Sequence, residues 1–203
     1  MVDKVQDEDL DLIFLIDRSG SMHGSEEDTI GGFNSFIQKG RKKGFNTKVT
    51  AILFDDDYEV LYERKAIEDV SDLTEDKYFV RGCTALLDAI GKTITSLDRK
   101  IENKVLFVIM TDGMENSSVE FSKPQIKSMI GNHNWEFIFI GADIDSYSEA
   151  GNIGIRKSRV ANYRKSKEGI GDVYTSIECA TNAMRADMDL NDVDWKENLR
   201  KYD

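Results

Sequence analysis

Two stretches of this chain are apolar at almost every position. Residues 10–16 contain Leu12-Ile13-Phe14-Leu15-Ile16, and residues 104–111 contain Val105-Leu106-Phe107-Val108-Ile109-Met110. An unbroken apolar run of this length suits a strand covered on both faces, as in a parallel sheet. Residues 135–141 form a third such run. Residues 48–54 and 58–64 read as two strands joined by Asp55-Asp56-Asp57, close enough for a hairpin. That acidic triplet reads as a solvated turn, because three adjacent carboxylates cannot all face one ion. Ser158 to Asn162 make a short final strand.

Elsewhere the apolar period lengthens to that of a helix. Ile30, Phe33, Phe36 and Ile37 share one face of residues 26–43, and Leu87, Ile90, Ile94 and Leu97 form a stripe along residues 84–98. Pro124 opens a helix after Ser122, with Ile126, Met129 and Ile130 toward the core. Ile170, Val173, Tyr174, Ile177 and Met184 mark a last helix over residues 168–186. Lys39, Arg41, Lys42 and Lys43 crowd the end of the first helix, where they complement its dipole and stay solvated; Gly44 stops it. Residues 187–203 are acidic and weakly periodic, and Leu190, Val193, Trp195 and Leu199 are the apolar positions they offer for packing. No repeat, linker or composition break divides the chain. One domain is therefore expected over residues 1–203, with its core over 8–186 and an acidic extension over 187–203. Alternating strands and helices predict an α/β fold: an open, mostly parallel, doubly wound (Rossmann-like) sheet of about six strands, one antiparallel strand at its edge, and helices on both faces.

The 203 residues are enough to bury a substantial core, and an apolar content of 40% argues against general disorder. Asp and Glu number 38 against 27 Lys and Arg, a net charge of −11. Such a surface disfavours nucleic acid and anionic membranes as partners. Cys83 and Cys179 have neither disulfide-framework nor zinc spacing and read as reduced thiols of a cytoplasmic protein. Met1 to Leu10 is polar and acidic and lacks the pattern of a signal peptide; no run reaches the length of a membrane span.

The chemistry concentrates where strands end. The first apolar strand runs into Asp17-Arg18-Ser19-Gly20-Ser21, the second into Thr111-Asp112-Gly113, and Gly82-Cys83-Thr84-Ala85-Leu86 precedes an amphipathic helix. An acid and two hydroxyls at alternate positions make a compact set of hard oxygen donors, which suits Mg²⁺ or Mn²⁺. In this order, the three segments resemble the von Willebrand factor A (VWA) domain and its metal-ion-dependent adhesion site, in the single-domain intracellular type of bacteria and phages.

That resemblance implies that residues 10–16 and 104–111 lie side by side where the strand order reverses, so that Asp17 and Asp112 meet at one crevice. It implies that Ser19, Ser21 and Thr84 touch the ion directly and that Asp17 and Asp112 act partly through bound waters. The ion is expected to be Mg²⁺, with Mn²⁺ and Ca²⁺ as alternatives. Three neutral hydroxyls and two acids leave positive charge on it, which would draw in a carboxylate of a partner protein. Gly20 and Gly113 are expected to serve tight turns. Cys83 departs from the glycine common before this threonine and reads as a buried, inert thiol. Intracellular relatives serve with AAA-type ATPases or in stress-response and metal-handling systems, and the family is not, as a rule, catalytic. This chain has no Gly-x-x-x-x-Gly-Lys-Ser/Thr pattern of its own.

Neighbouring residues carry weaker signals. With Asp145 and Ser146, Asp143 reads as a turn or helix cap in preference to a rim residue. Glu115 and Asn116 either shape partner selectivity or face water. Met22 and His23 are placed on the exposed loop, His23 as a solvated residue. The rival function is a metal-dependent phosphohydrolase on a similar sheet. Its chemistry needs a second carboxylate two residues after the first, where this chain has Ser19. A serine hydrolase lacks its elbow motif, and only His23 and His133 are available as bases. A degenerate fold using other surfaces is opposed by the complete donor set.

Overall fold

The two apolar runs pair with each other. β1 (Leu10–Asp17) lies parallel to β4 (Lys104–Thr111), from Leu10 opposite Lys104 to Ile16 opposite Met110. On the other side of β1 lies β2 (Thr47–Phe54), also parallel, and β3 (Tyr58–Ala66) closes that edge as the one antiparallel strand. β5 (Glu136–Gly141) and the short β6 (Val160–Asn162) extend the sheet beyond β4, giving the order β3-β2-β1-β4-β5-β6. The computed structural model describes residues 9–44 and 46–203. The leaderless reading of Met1 to Leu10 and the start of the core at residue 8 fall largely on residues 1–8, outside the described residues.

Successive residues of β1 feed opposite faces. Leu12, Phe14 and Ile16 enter one apolar cluster; Ile13 and Leu15 enter the other. On the first face lie α1 (Glu26–Lys43) and α5 (Lys167–Arg185). Phe14 meets Phe33 and Phe36 of α1 edge-on, with ring centroids 5.5 and 5.4 Å apart, and Tyr174 of α5 at 6.4 Å. On the second face lie α2 (Leu86–Leu97), α3 (Lys123–Asn132) and α4 (Ser146–Asn152). Covering both faces is what permits the unbroken apolar strands.

The basic end of α1 is not merely solvated. Lys39 and Lys43 both reach Glu178 of α5, at 3.2 and 2.6 Å, and Arg41 donates to the Val70 carbonyl. The acidic tail folds back: Leu190, Trp195 and Leu199 are buried in the first cluster. Trp195 donates to the Ser158 carbonyl (3.1 Å), Lys196 to Val160 (2.6 Å), and Asp203 accepts the Asn162 N–H (3.1 Å). The tail thus satisfies polar groups of the β6 edge, which would otherwise stand open for pairing. α4 was not expected; Asp145 caps it by accepting from the Ser148 N–H at 3.0 Å.

Strand order fixes where a site can form. The chain winds outward from β1 to β2 and β3, then returns to β4 on the far side of β1. The loops leaving β1 and β4 diverge, and their mouth is the crevice where ligands of open α/β sheets bind.

Candidate metal centre

Asp17 ends β1 and is fully buried. Its Oδ1 accepts the Ser19 N–H (2.7 Å), which turns the chain, and its Oδ2 accepts the Thr111 hydroxyl (2.5 Å) at the end of β4. Burial pushes the Asp17 carboxyl up to about 6; the Ser19 and Thr111 hydrogen bonds oppose the rise and the Asp112 charge adds to it. A 3-10 turn over Gly20–Met22 then brings Ser21 Oγ within 3.0 Å of Ser19 Oγ. Ser21 Oγ donates to Asp112 Oδ1 at 2.5 Å. Its proton is thereby committed, so Ser19 is the donor between the two hydroxyls.

Thr84 arrives from the third segment, just before α2. Its backbone is clamped by Asn116: Thr84 N–H donates to Asn116 Oδ1 (2.9 Å) and Asn116 N–H to the Thr84 carbonyl (3.1 Å). A Cβ on Gly113 would lie 2.3 Å from Thr84 Oγ1 and 3.3 Å from Ser19 Oγ. Hydroxyls from two distant segments therefore pack against one backbone position, which only glycine allows. Gly113 is required for this close approach and not for a special backbone angle. Gly20 needs neither; its N–H donates to the Gly82 carbonyl (3.1 Å) and so ties the first loop to the third. Of Gly20, Gly82 and Gly113, Gly82 is the one with positive φ (+65°), and a side chain there would collide with Asp56.

In the acidic triplet, Asp56 and Asp57 are exposed as a solvated turn requires, and Asp55 is the correction. Asp55 is 1% exposed and accepts from both Arg18 Nε (2.9 Å) and Arg81 Nε (2.7 Å). Asp56 accepts the Cys83 N–H (2.9 Å), Asp57 pairs with Arg81 (2.6 Å), and the Asp55 carbonyl takes the Ala85 N–H (3.0 Å). The three carboxylates hold the Thr84 loop in place. They succeed because they point in different directions, which is also why they do not share an ion.

No protein-family model and no curated protein matches the sequence. Solved structures do match its fold. A proximal thread matrix protein, PTMP1, from the mussel byssus, solved with a zinc-occupied MIDAS motif, superposes with a TM-score of 0.64 at 17% identity over 88% of this chain and 46% of its own. The vWF domain of the type V pili tip protein Mfa5 from Porphyromonas gingivalis gives 0.65 at 11% identity, over 86% and 96% of the two chains. The ArnB paralog VWA2 from Sulfolobus acidocaldarius gives 0.60 at 19%, over 82% and 43%. The fold is that of a VWA domain. This chain spans less than half the length of the PTMP1 and VWA2 chains.

Within this VWA fold, several neighbours of the crevice differ from expectation. Met22 is fully buried, with Tyr163 OH 3.8 Å from its sulfur, whereas His23 is exposed and touches Glu26. Tyr163 itself is buried beside Asp112 and Asp17, and burial pushes its phenol well above the usual range. Glu115 is half-buried and accepts from Leu87 N–H (2.9 Å) and from Ser117 and Ser118, while Asn116 is exposed. Cys83 is exposed, not buried. Asp143 sits at the rim with φ +55°, and Asp145 is the helix cap.

Lys165 escaped the sequence reading altogether. Its ammonium lies 2.9 Å from Asp112 Oδ2, 3.2 Å from Asp143 Oδ2 and 3.1 Å from the Ser21 carbonyl. The Asp112 carboxylate raises its pKa above the ordinary lysine range, with Asp143 adding to the effect. The contact with Asp112 is an ion pair and not an aligned hydrogen bond, so the buried Oδ2 is left without a hydrogen-bond donor.

Among the described residues, no three His, Cys, Asp or Glu side chains are grouped to hold a metal ion. A cation here would rest on the hydroxyls of Ser19, Ser21 and Thr84, backed by Asp17 and Asp112. The donor set fits a hard divalent ion: all are oxygens, the buried Asp112 Oδ2 accepts no aligned hydrogen bond and is held only by the Lys165 charge, and the bare Gly113 backbone lets the Thr84 and Ser19 hydroxyls come close to the loop of Asp112.

Proposed function

We propose that this chain is a divalent-cation-dependent protein-binding module. The observation that carries the reading is the meeting of Ser19, Ser21 and Asp112 across the mouth between β1 and β4, with Thr84 facing the same point. Mg²⁺ or Mn²⁺ would be held by the three hydroxyls, with Asp17 and Asp112 supplying charge behind them. Two carboxylates balance the ion only formally. The neutral hydroxyls leave it electrophilic toward one more oxygen, and an acidic side chain of a partner protein supplies that oxygen. PTMP1 supports the assignment, because its structure holds zinc at a motif of this kind.

The reading is non-catalytic: Ser19 stands where phosphoryl transfer of the aspartate type would need an acid. Two unpaired thiols accord with a cytoplasmic setting, and an AAA-type ATPase or a stress-response protein is the partner class we would try first. The test is retention of a candidate partner on immobilised protein. Retention in Mg²⁺ that is lost with EDTA and in Thr84→Ala is expected. Retention indifferent to EDTA, or phosphate-ester hydrolysis abolished by Asp17→Ala, contradicts the reading.

A further inference from the structure

We infer that Lys165 is a tethered counter-cation of the metal centre, one that shares Asp112 with the divalent ion and holds metal affinity below what the donor set alone would give. The inference rests on the proposed metal site. Three loops converge on this one ammonium: Ser21 follows β1, Asp112 follows β4, and Asp143 follows β5. Asp112 therefore has both oxygens engaged without any metal, Oδ1 by the Ser21 hydroxyl and Oδ2 by Lys165. Its charge is already neutralised.

A divalent ion settling among the hydroxyls meets that neutralised carboxylate. It also meets a like charge held against the backbone carbonyl of Ser21, one of its own expected ligands. Like charges at such range repel strongly where burial lowers the dielectric. Asp143 does not cancel the effect, because it is mostly exposed and water screens it. The side chain of Lys165 is itself only about a quarter exposed, so its charge is screened much less.

The experiment is calorimetric titration of Mn²⁺ into metal-stripped wild type, Lys165→Met, Lys165→Arg and Asp17→Ala, each checked for folding by circular dichroism. Lys165→Met keeps the chain length and removes the charge. It should bind Mn²⁺ about tenfold or more tighter than wild type, a change of the size expected for removing one nearby charge. Lys165→Arg should stay near wild type. If Lys165→Met does not fold, Lys165→Gln takes its place.

Equal or weaker binding by the neutral variant, with wild-type binding present and lost in Asp17→Ala, overturns the inference and leaves the metal site standing. Binding by the neutral variant alone supports both readings, since the ammonium then masks the site entirely. Failure of every protein to bind overturns both.

Discussion

Asp17 carries a conflict that a metal would resolve. Its carboxyl is buried between two strands and its pKa is raised from 3.8 to about 6, so the folded, metal-free protein holds this proton more tightly than the unfolded chain. Stability from this group is therefore full below pH 3.8 and is lost as pH rises through 6. Asp17→Asn should stabilise the metal-free protein at pH 7 by about 1–3 kcal/mol and should do little at pH 4, as read by urea unfolding. The same titration predicts that metal affinity falls below pH 6, where the proton competes with the ion. Gly113→Ala is the matching steric test. Its methyl would press on Thr84 Oγ1. Metal binding should drop at least about tenfold, while stability changes by only about 1–2 kcal/mol. That Asp17, Ser19, Ser21, Thr84 and Asp112 gather at one mouth was legible because each adjoins the end of a strong apolar strand or the start of an amphipathic helix. Lys165 was not, since its three partners come from three distant loops and no local pattern marks it.

At the level of elements, what positions the centre is the hairpin between β2 and β3. Asp55 sits at its base and draws in Arg18, which is 1% exposed, and Arg81. Glu59 also reaches Arg18 at 2.5 Å but is half in solvent. Asp55→Ala would leave the buried Arg18 with that screened carboxylate as its one charge partner among the described residues. A loss of about 3–5 kcal/mol in unfolding free energy is expected, whereas Asp57→Ala, on the exposed pair with Arg81, should cost under about 1 kcal/mol. Equal effects in the two variants would contradict the assigned roles. Among the described residues, the strands and four of the five α-helices were readable from apolar period, with Pro124 and Gly44 as boundary signals. α4 was missed because its seven residues, Ser146–Asn152, bury only Ser146 and Ala150 and offer no stripe. In the triplet at 55–57, Asp55 alone was misread, because composition does not say which carboxylate the fold will bury.

Across the whole molecule, the acidic tail is part of the folded domain. Leu190, Trp195 and Leu199 are buried, and side chains from the tail satisfy the β6 edge. Deleting residues 187–203 should cost on the order of 5 kcal/mol and expose a dye-binding apolar surface; unchanged thermal stability would contradict this account. The tail's packing positions were legible as Leu190, Val193, Trp195 and Leu199, but weak periodicity did not say against what they pack, because they pack singly and not along one helical face. The α/β architecture was legible, since unbroken apolar strands alternating with amphipathic helices leave few alternatives. The central claim concerns the mouth between β1 and β4, and calorimetric titration of Mg²⁺ and Mn²⁺ into metal-stripped wild type beside Asp17→Ala tests it most directly. One-site binding by the wild type, absent in Asp17→Ala, is the predicted result; equal binding by both proteins, or none by any form including Lys165→Met, would contradict it.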